Sequence, residues 1–376
     1  MNGNSFPGRL KEKLFKRAFE TPQYLNVSNI PSIDGLRAVS ILIVVLGHFR
    51  LSVNMPHTGY VFFNTLFGGG QLGVKLFFVI SGFLITTLLI KEKIKTNTIN
   101  LKKFYIRRFL RIFPVFYLFL IVIIVLNFML HLAIPWYIFL TAALYLTNFF
   151  IYQTHWTMVH FWSLSLEEQY YLVWPALFKK NHNLALIIAV VVICIAPVFE
   201  VTAALHPSLL NWLLVPFFHG ADCIFIGSVF AILAFKGCIN WTFFAKYKIA
   251  VNFIGFFLVW FVTHIMLKSS YSEMLLPFGH TITVIIIACI IISNIIPSKY
   301  LFYKLFNSKP FVIIGRLSYS IYVWQQLFMF APKGFPLPSF TWNTAPYNLI
   351  FIAVISACSY YFYERIFLRI KTRFKV

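Results

Sequence analysis

The sequence predicts an all-α integral membrane protein, a polytopic bundle of about ten transmembrane helices. Of its 376 residues, 60% are hydrophobic and only 11% are charged, whereas soluble proteins average about 25% charged residues. Several apolar runs of about 20 residues follow one another, and a helix of that length spans the roughly 30 Å hydrocarbon core. The runs are continuous and do not alternate between apolar and polar residues, which excludes a transmembrane β-barrel.

The net charge of +22 is concentrated in short segments between the apolar runs. Basic loops lie on the cytoplasmic side of helical membrane proteins, and this rule explains the pattern more simply than nucleic-acid binding. About 26 of the 32 lysines and arginines fall on one side if each later run crosses the membrane once. We therefore expect both termini in the cytoplasm and no nucleic-acid partner.

The chain is expected to form one membrane domain over 31–370, preceded by a basic cytoplasmic segment over 1–30 and followed by a basic tail over 371–376. The first residues lack the apolar core of a signal peptide. Five cysteines are scattered in or beside apolar runs, and no pair has the spacing of metal ligands. We interpret them as buried thiols and expect no metal site and no disulfide framework.

The crossings can be followed from the N-terminus. The first three spans cover about 33–52, 71–90 and 112–131, with an uncharged outer loop at 53–70. Two apolar segments, 136–151 and 161–178, then precede the basic pair Lys179-Lys180. Because the later basic loops share one side only if a single one of these segments crosses, we interpret the shorter one as a re-entrant or interfacial helix. Which of the two crosses fully stays open at this point.

The first span carries Arg37 and His48, and ionisable groups at membrane depth are costly and mark a pathway or a site. Their separation is close to three helical turns, so both side chains lie on one face, about 16 Å apart. Asp34 falls near the same face. The alternative is that packing inside the bundle satisfies these groups.

The segment 161–178 carries two adjacent acids, Glu167 and Glu168, within an aromatic run. Helical rise places His48 about 6 Å and Glu167 about 9 Å below the outer boundary. A carboxylate beside a histidine orients the ring and stabilises its protonated form, as a general base requires. Ser163 is one turn before Glu167 and shares its face. The alternative is that both acids face water at the outer interface.

At the inner side, Arg107, Arg108 and Arg111 are spaced by three and four residues, so one helix face can present a fork of guanidinium groups. Arginine suits phosphates because its planar donors bind in pairs and its charge is permanent. This predicts a phosphate-bearing cytosolic ligand. Anionic lipid headgroups fit the same cluster equally well.

Six motifs occur in a fixed order along the chain. They are Arg37 with His48; Gly73-Val-Lys-Leu-Phe-Phe-Val-Ile-Ser81-Gly82; Arg107-Arg108-x-x-Arg111-Ile-x-Pro114; Trp162-Ser-Leu-Ser-Leu-Glu167; Asp222 with Gly227; and Gly315-Arg316-Leu-Ser318-Tyr319 with Tyr363-Glu364-Arg365. Together they resemble the acyltransferase 3 family of integral-membrane acyltransferases over about 30–370. Four positions depart from the family pattern: Lys75, Gly220, Ile366, and Gln325, where histidine is common.

The resemblance implies transfer of an acyl group, often acetyl, from cytosolic acyl-CoA to a hydroxyl of a carbohydrate or lipid-linked glycan of the cell envelope. Acyl-CoA would be a co-substrate, with no permanently bound cofactor, and membrane lipids would surround the protein. The expected location is a bacterial inner membrane. We expect a stand-alone enzyme, without the esterase-like SGNH domain that some members carry.

The resemblance assigns residues to three groups. His48, Glu167 and Arg37 would be catalytic; Arg107, Arg108, Arg111 and Ser81 would bind acyl-CoA; Asp34, Ser163, Asp222, Arg316 and Tyr319 are further site candidates. Whether His48 acts as a base or takes the acyl group itself stays open. The alternatives from other classes are a transporter or flippase of a glycan precursor, which the lack of an inverted repeat in the motif order weakens, and a structural glycan-assembly subunit.

Overall fold

The computed structural model describes residues 12–67, 70–205, 215–266, 272–329 and 343–374; a few side chains at helix ends beside the gaps are outside this description. The elements of the described residues are helical, which confirms the all-α class. One isolated parallel bridge joins Val53 and Thr344.

Fifteen α-helices lie within the described residues. In chain order they are α1 (Ile33–Phe49), α2 (His57–Phe67), α3 (Gln71–Thr96), α4 (Leu101–Leu130), α5 (Trp136–Ala143), α6 (Phe161–Lys180), α7 (His182–Leu205), α8 (Val215–Phe235), α9 (Trp241–Lys246), α10 (Lys248–Met266), α11 (Ser272–Ile295), α12 (Leu301–Phe306), α13 (Lys309–Met329), α14 (Tyr347–Cys358) and α15 (Arg365–Lys371). A π-helical turn, Ser359–Glu364, joins α14 to α15.

Several of these helices have the length and composition of membrane spans. A search of the described residues finds five stretches that qualify: His57–Thr96, Leu101–Leu130, His182–Phe199, Phe278–Ile295 and Tyr347–Phe374. The first of them runs across residues 68 and 69, which the structure does not describe. Large apolar side chains also point outward, as lipid contact requires; on α4, Ile121, Phe128 and Met129 are 57%, 73% and 70% exposed. These features support a multi-pass membrane protein. The number of ten crossings and the cytoplasmic termini stay predictions.

The structure differs from the sequence-based expectation between the first two spans. The uncharged segment predicted as a loop at 53–70 contains helix α2, whose large apolar side chains include Val61 and Phe62, 46% and 56% exposed. Arg50 stabilises its position by donating hydrogen bonds to the Tyr60 hydroxyl at 3.1 Å and to the Asn64 side chain at 2.9 Å. The prediction of a loop was wrong: Phe63 of this helix packs edge-on against Phe49 of α1, with ring centroids 5.1 Å apart, and stacks on Phe67 one turn later.

Helix α5 covers only the start of the segment predicted as re-entrant or interfacial. Its eight residues rise about 12 Å, too little to cross a roughly 30 Å core. Trp136 at its start is 74% exposed, while Ile138 is buried. A short amphipathic helix with an exposed tryptophan is typical of an interfacial position.

The cysteines were expected to be buried thiols, and this is wrong for two of them. Cys194 and Cys358 are exposed on the outer surfaces of apolar helices, where lipid and not the protein core surrounds the side chain. Cys223 is buried, as expected.

The chain divides into two compact units. Unit 1 comprises Met1–Leu36, Lys75–Ile99 and Tyr170–Val312, and unit 2 comprises Arg37–Val74, Asn100–Gln169 and Ile313–Val376.

In unit 1, α3 and α8 approach each other at two glycines. A Cβ added to Gly82 would collide with the backbone of Ile224, and one added to Gly227 would collide with the backbone of Val79. Small residues allow this close backbone approach, which is a common way for membrane helices to associate. The motif glycines at these positions therefore have a packing role.

The predicted orientation can be tested by cysteine labelling. In a variant whose exposed Cys194 and Cys358 are replaced by serine, His57→Cys is expected to react with a membrane-impermeant maleimide added to intact cells. Thr98→Cys, which is exposed between α3 and α4, is expected to react only after permeabilisation, because its loop lies on the basic side. The reverse pattern would contradict the orientation.

Candidate active site

Helix α13 presents a row of buried polar side chains to other elements of unit 2. The Tyr319 hydroxyl donates a hydrogen bond to the Ile112 carbonyl of α4 at 2.8 Å. Near its other end, the Gln326 side chain donates to the Trp156 carbonyl at 3.1 Å. Tyr322 lies between these two residues on the same helix face. Because these partners are buried and directional, they fix the rotation of α13 within unit 2.

His48, near the C-terminal end of α1, is held by α13. Its Nδ1 lies 3.0 Å from Oε1 of Gln325, and an amide oxygen can only accept a hydrogen bond. With the amide in this orientation, the neutral imidazole carries its proton on Nδ1 and keeps a lone pair on Nε2. This is the tautomer in which Nε2 can accept a proton from another molecule. The side-chain nitrogen of Gln325 has no hydrogen-bond partner within the described residues.

A second histidine, His160, lies within electrostatic reach of His48 and is 3% exposed. Its Nε2 is 3.1 Å from the Val323 carbonyl, so Nε2 carries the proton there. Its Nδ1 has no hydrogen-bond partner in the part of the chain that the structure describes. The sequence analysis did not single out His160; its position directly before the Trp162 motif was the available signal.

Ser163 lies beside this second histidine. Its hydroxyl is 2.5 Å from the Tyr322 hydroxyl and donates to the His160 carbonyl at 3.2 Å. Glu167 lies one turn further along α6, within electrostatic reach of Tyr322. The structure thus brings Ser163 and Glu167 to the same α13 face that holds His48. Gln325 faces Nδ1 of His48, and the orienting role expected for Glu167 stays a prediction.

Four arginines and a lysine form a basic cluster in the same unit. Its members are Arg37 from α1, Arg107, Arg108 and Arg111 from α4, and Lys371 from α15. Lys371 lies within electrostatic reach of all four arginines. The sequence analysis predicted the shared face of the three α4 arginines but missed Lys371. Arg37 and His48 lie about three turns apart on the same helix, so α1 connects the basic cluster to His48.

Arg111 of the basic cluster has a buried acidic partner. Its guanidinium donates to the Glu364 carboxylate at 3.0 Å, and the Glu364 side chain is 1% exposed. The Ser320 hydroxyl donates to the other carboxylate oxygen at 2.6 Å. The charge of Arg111 is therefore compensated inside the protein.

The remaining predicted residues lie elsewhere. Asp34, Ser81 and Asp222 belong to unit 1, and Asp222 is paired with His280, whose Nε2 is 3.0 Å from its carboxylate. Arg316 belongs to unit 2 but is exposed. The roles of these four residues in acyl transfer stay predictions.

A family model described as an acyltransferase domain, Acyl_transf_3, matches residues 30–364. The chain belongs to the acyltransferase 3 family. It is 29% identical to the peptidoglycan O-acetyltransferase OatA of Listeria monocytogenes over 334 residues, covering 78% of this chain and 48% of that protein. It is 28% identical to the O-acetyltransferase OatA of Staphylococcus aureus over 346 residues, covering 83% and 52%.

The chain spans about half the length of these curated relatives. No solved structure matches it. Its candidate site combines His48 with a basic cluster about three helical turns away along α1. Tyr319 lies within electrostatic reach of both Glu167 and Arg111.

Proposed function

We propose that the chain is a membrane-embedded O-acetyltransferase that moves an acetyl group from cytosolic acetyl-CoA to a hydroxyl of a cell-envelope glycan. The contact between His48 Nδ1 and Gln325 Oε1 carries the proposal, because it leaves Nε2 able to act as a base. The named activity of the Listeria monocytogenes relative, peptidoglycan O-acetylation, supports the acetyl group and the glycan acceptor.

The basic cluster binds the phosphates of the donor. It brings the guanidinium groups of Arg37, Arg107, Arg108 and Arg111 within electrostatic reach of the Lys371 ammonium group. Guanidinium groups bind phosphate oxygens in pairs and keep their charge at all physiological pH values. The pantetheine arm then extends along α1, over the distance of about 16 Å that separates Arg37 from His48.

The chemical step uses His48 as a general base. Nε2 accepts the proton of the acceptor hydroxyl while its oxygen attacks the thioester carbonyl carbon. The carbon–sulfur bond then breaks, the acetyl group remains on the acceptor oxygen, and the CoA sulfur takes the proton back from Nε2. Gln325 accepts a hydrogen bond from Nδ1 throughout, which keeps the ring in one orientation.

The proposal is tested with the full chain purified in detergent, radiolabelled acetyl-CoA and an amino-sugar oligosaccharide. We expect release of free CoA thiol together with label on the oligosaccharide in an alkali-labile ester. In proteoliposomes, movement of a lipid-linked glycan without loss of acetyl from acetyl-CoA would support the transporter alternative and contradict the proposal.

Replacing Arg108 with alanine is expected to raise the KM for acetyl-CoA about 10-fold or more, because a hydrogen bond to a charged group contributes roughly 1.5–3 kcal/mol. Arg108→Lys should recover only part of the loss, since an ammonium group lacks the planar fork. Lys102→Ala, at an exposed position of the same helix, is the matched control and should leave KM unchanged. If KM is unchanged in both Arg108 variants, the cluster binds lipid headgroups and not the donor.

A further inference from the structure

Unit 1 contains a buried group of three side chains that can ligate a metal. Asp222 and Cys223 are neighbours on α8, His280 comes from α11, and the three residues are 1%, 0% and 8% exposed. Nε2 of His280 lies 3.4 Å from Sγ of Cys223 and 3.0 Å and 3.2 Å from the two carboxylate oxygens of Asp222. The candidate ligand atoms all lie within 4.8 Å of one another.

The candidate ligand atoms converge on a single imidazole nitrogen. The imidazole nitrogen has one hydrogen at most, yet three heteroatoms of Asp222 and Cys223 lie around it. A tetrahedral zinc ion, bonded to nitrogen and oxygen at about 2.0–2.1 Å and to sulfur at about 2.3 Å, would separate its ligand atoms by roughly 3.3–3.6 Å. The observed nitrogen–sulfur and nitrogen–oxygen separations need only small shifts to reach these values.

Charge and ligand chemistry also favour a divalent cation. With the thiol deprotonated, Asp222 and Cys223 carry two negative charges and His280 is neutral, so Zn²⁺ makes the group neutral within an apolar interior. Thiolate, imidazole and carboxylate are the ligands that zinc uses in proteins, whereas a thiolate does not suit magnesium or calcium. The partly buried Lys75 ammonium group lies within electrostatic reach of Asp222. It is the cation that competes with a metal ion for the Asp222 carboxylate.

We propose that Asp222, Cys223 and His280 bind one zinc ion, with water in the fourth position. Binding forms a zinc–sulfur bond and releases the Cys223 thiol proton to solvent. The ion would link α8 to α11 inside unit 1. The sequence analysis expected no metal site because it searched for paired cysteines, whereas these ligands come from two helices that are distant in sequence.

The test uses the full chain purified in detergent without a polyhistidine tag, because such a tag binds the same ions. After incubation with Zn²⁺ and removal of free metal, we expect about one zinc per chain, as a single site requires. With Co²⁺ we expect a thiolate-to-cobalt charge-transfer band in the near ultraviolet. Cys223→Ser should abolish this band, and His280→Gln should weaken Co²⁺ binding more than 10-fold, because each removes one of three ligands.

The matched control is Cys289→Ser, which changes a partly buried cysteine of α11 that lies outside the group. It should keep both the zinc and the cobalt band. A chelator should lower the thermal unfolding midpoint of the wild type and leave that of Cys223→Ser unchanged. Wild-type protein that binds neither ion, or a cobalt band that persists in Cys223→Ser, would overturn the proposal and leave a hydrogen-bonded Asp222–His280 pair.

Discussion

Replacing His48 with glutamine is expected to reduce acetyl transfer about 10²- to 10⁴-fold, the usual contribution of a general base. Glutamine has a similar length and can hydrogen-bond, but it cannot accept a proton from the acceptor hydroxyl. His48→Ala should be at least as inactive. Binding of acetyl-CoA should persist in both variants, because the basic cluster lies about three helical turns away.

The decisive measurement is acetyl transfer and acetyl-CoA binding on the same preparation of each variant. His57→Gln is the matched control, since His57 is exposed at the start of α2, and it should leave both quantities unchanged. If His48→Gln transfers acetyl at a near-normal rate, the imidazole is structural and the catalytic assignment fails.

The contact with Gln325 bears on the role proposed for His48. A glutamine amide does not titrate. Its oxygen therefore accepts a hydrogen bond from Nδ1 at any pH at which the protein is folded, and Nε2 keeps its lone pair whenever the ring is neutral. A carboxylate at that position would instead stabilise the protonated ring.

The class of fold could be predicted from the sequence because hydrophobicity and length decide it directly. The apolar runs of α4 and α7 are continuous, and their lengths match a bilayer. Helix α2 could not be predicted in the same way. It has no charged residue, and the side chain of Arg50, which precedes the helix in sequence, holds it through tertiary hydrogen bonds.

The site could be predicted only as far as single helices define it. Spacing placed Arg37 with His48 and grouped the arginines of α4, because residues three or four apart share a helix face. Gln325 is 277 residues from His48, and Glu364 is 253 residues from Arg111. No local period relates such pairs, so the structure was needed to find the orienting partner of the base and the acid that compensates Arg111.

The buried pair of Arg111 and Glu364 leads to the largest expected effect on stability. Replacing Glu364 with leucine is expected to reduce the free energy of unfolding by about 3–5 kcal/mol, because Arg111 is left as a largely buried charge without its counter-ion. The double variant Arg111→Leu/Glu364→Leu should regain most of that loss, since an apolar pair replaces a desolvated ion pair at little net cost.

Thermal unfolding in detergent, followed by circular dichroism, measures the midpoints of the wild type, the single variant and the double variant. Glu20→Leu is the matched control: its ion pair with Arg17 is solvent-exposed, and such pairs contribute only about 0–1 kcal/mol. A midpoint of Glu364→Leu equal to that of the wild type would show that the Arg111 charge is solvated without Glu364. The assignment of Glu364 as the group that compensates the Arg111 charge would then be wrong.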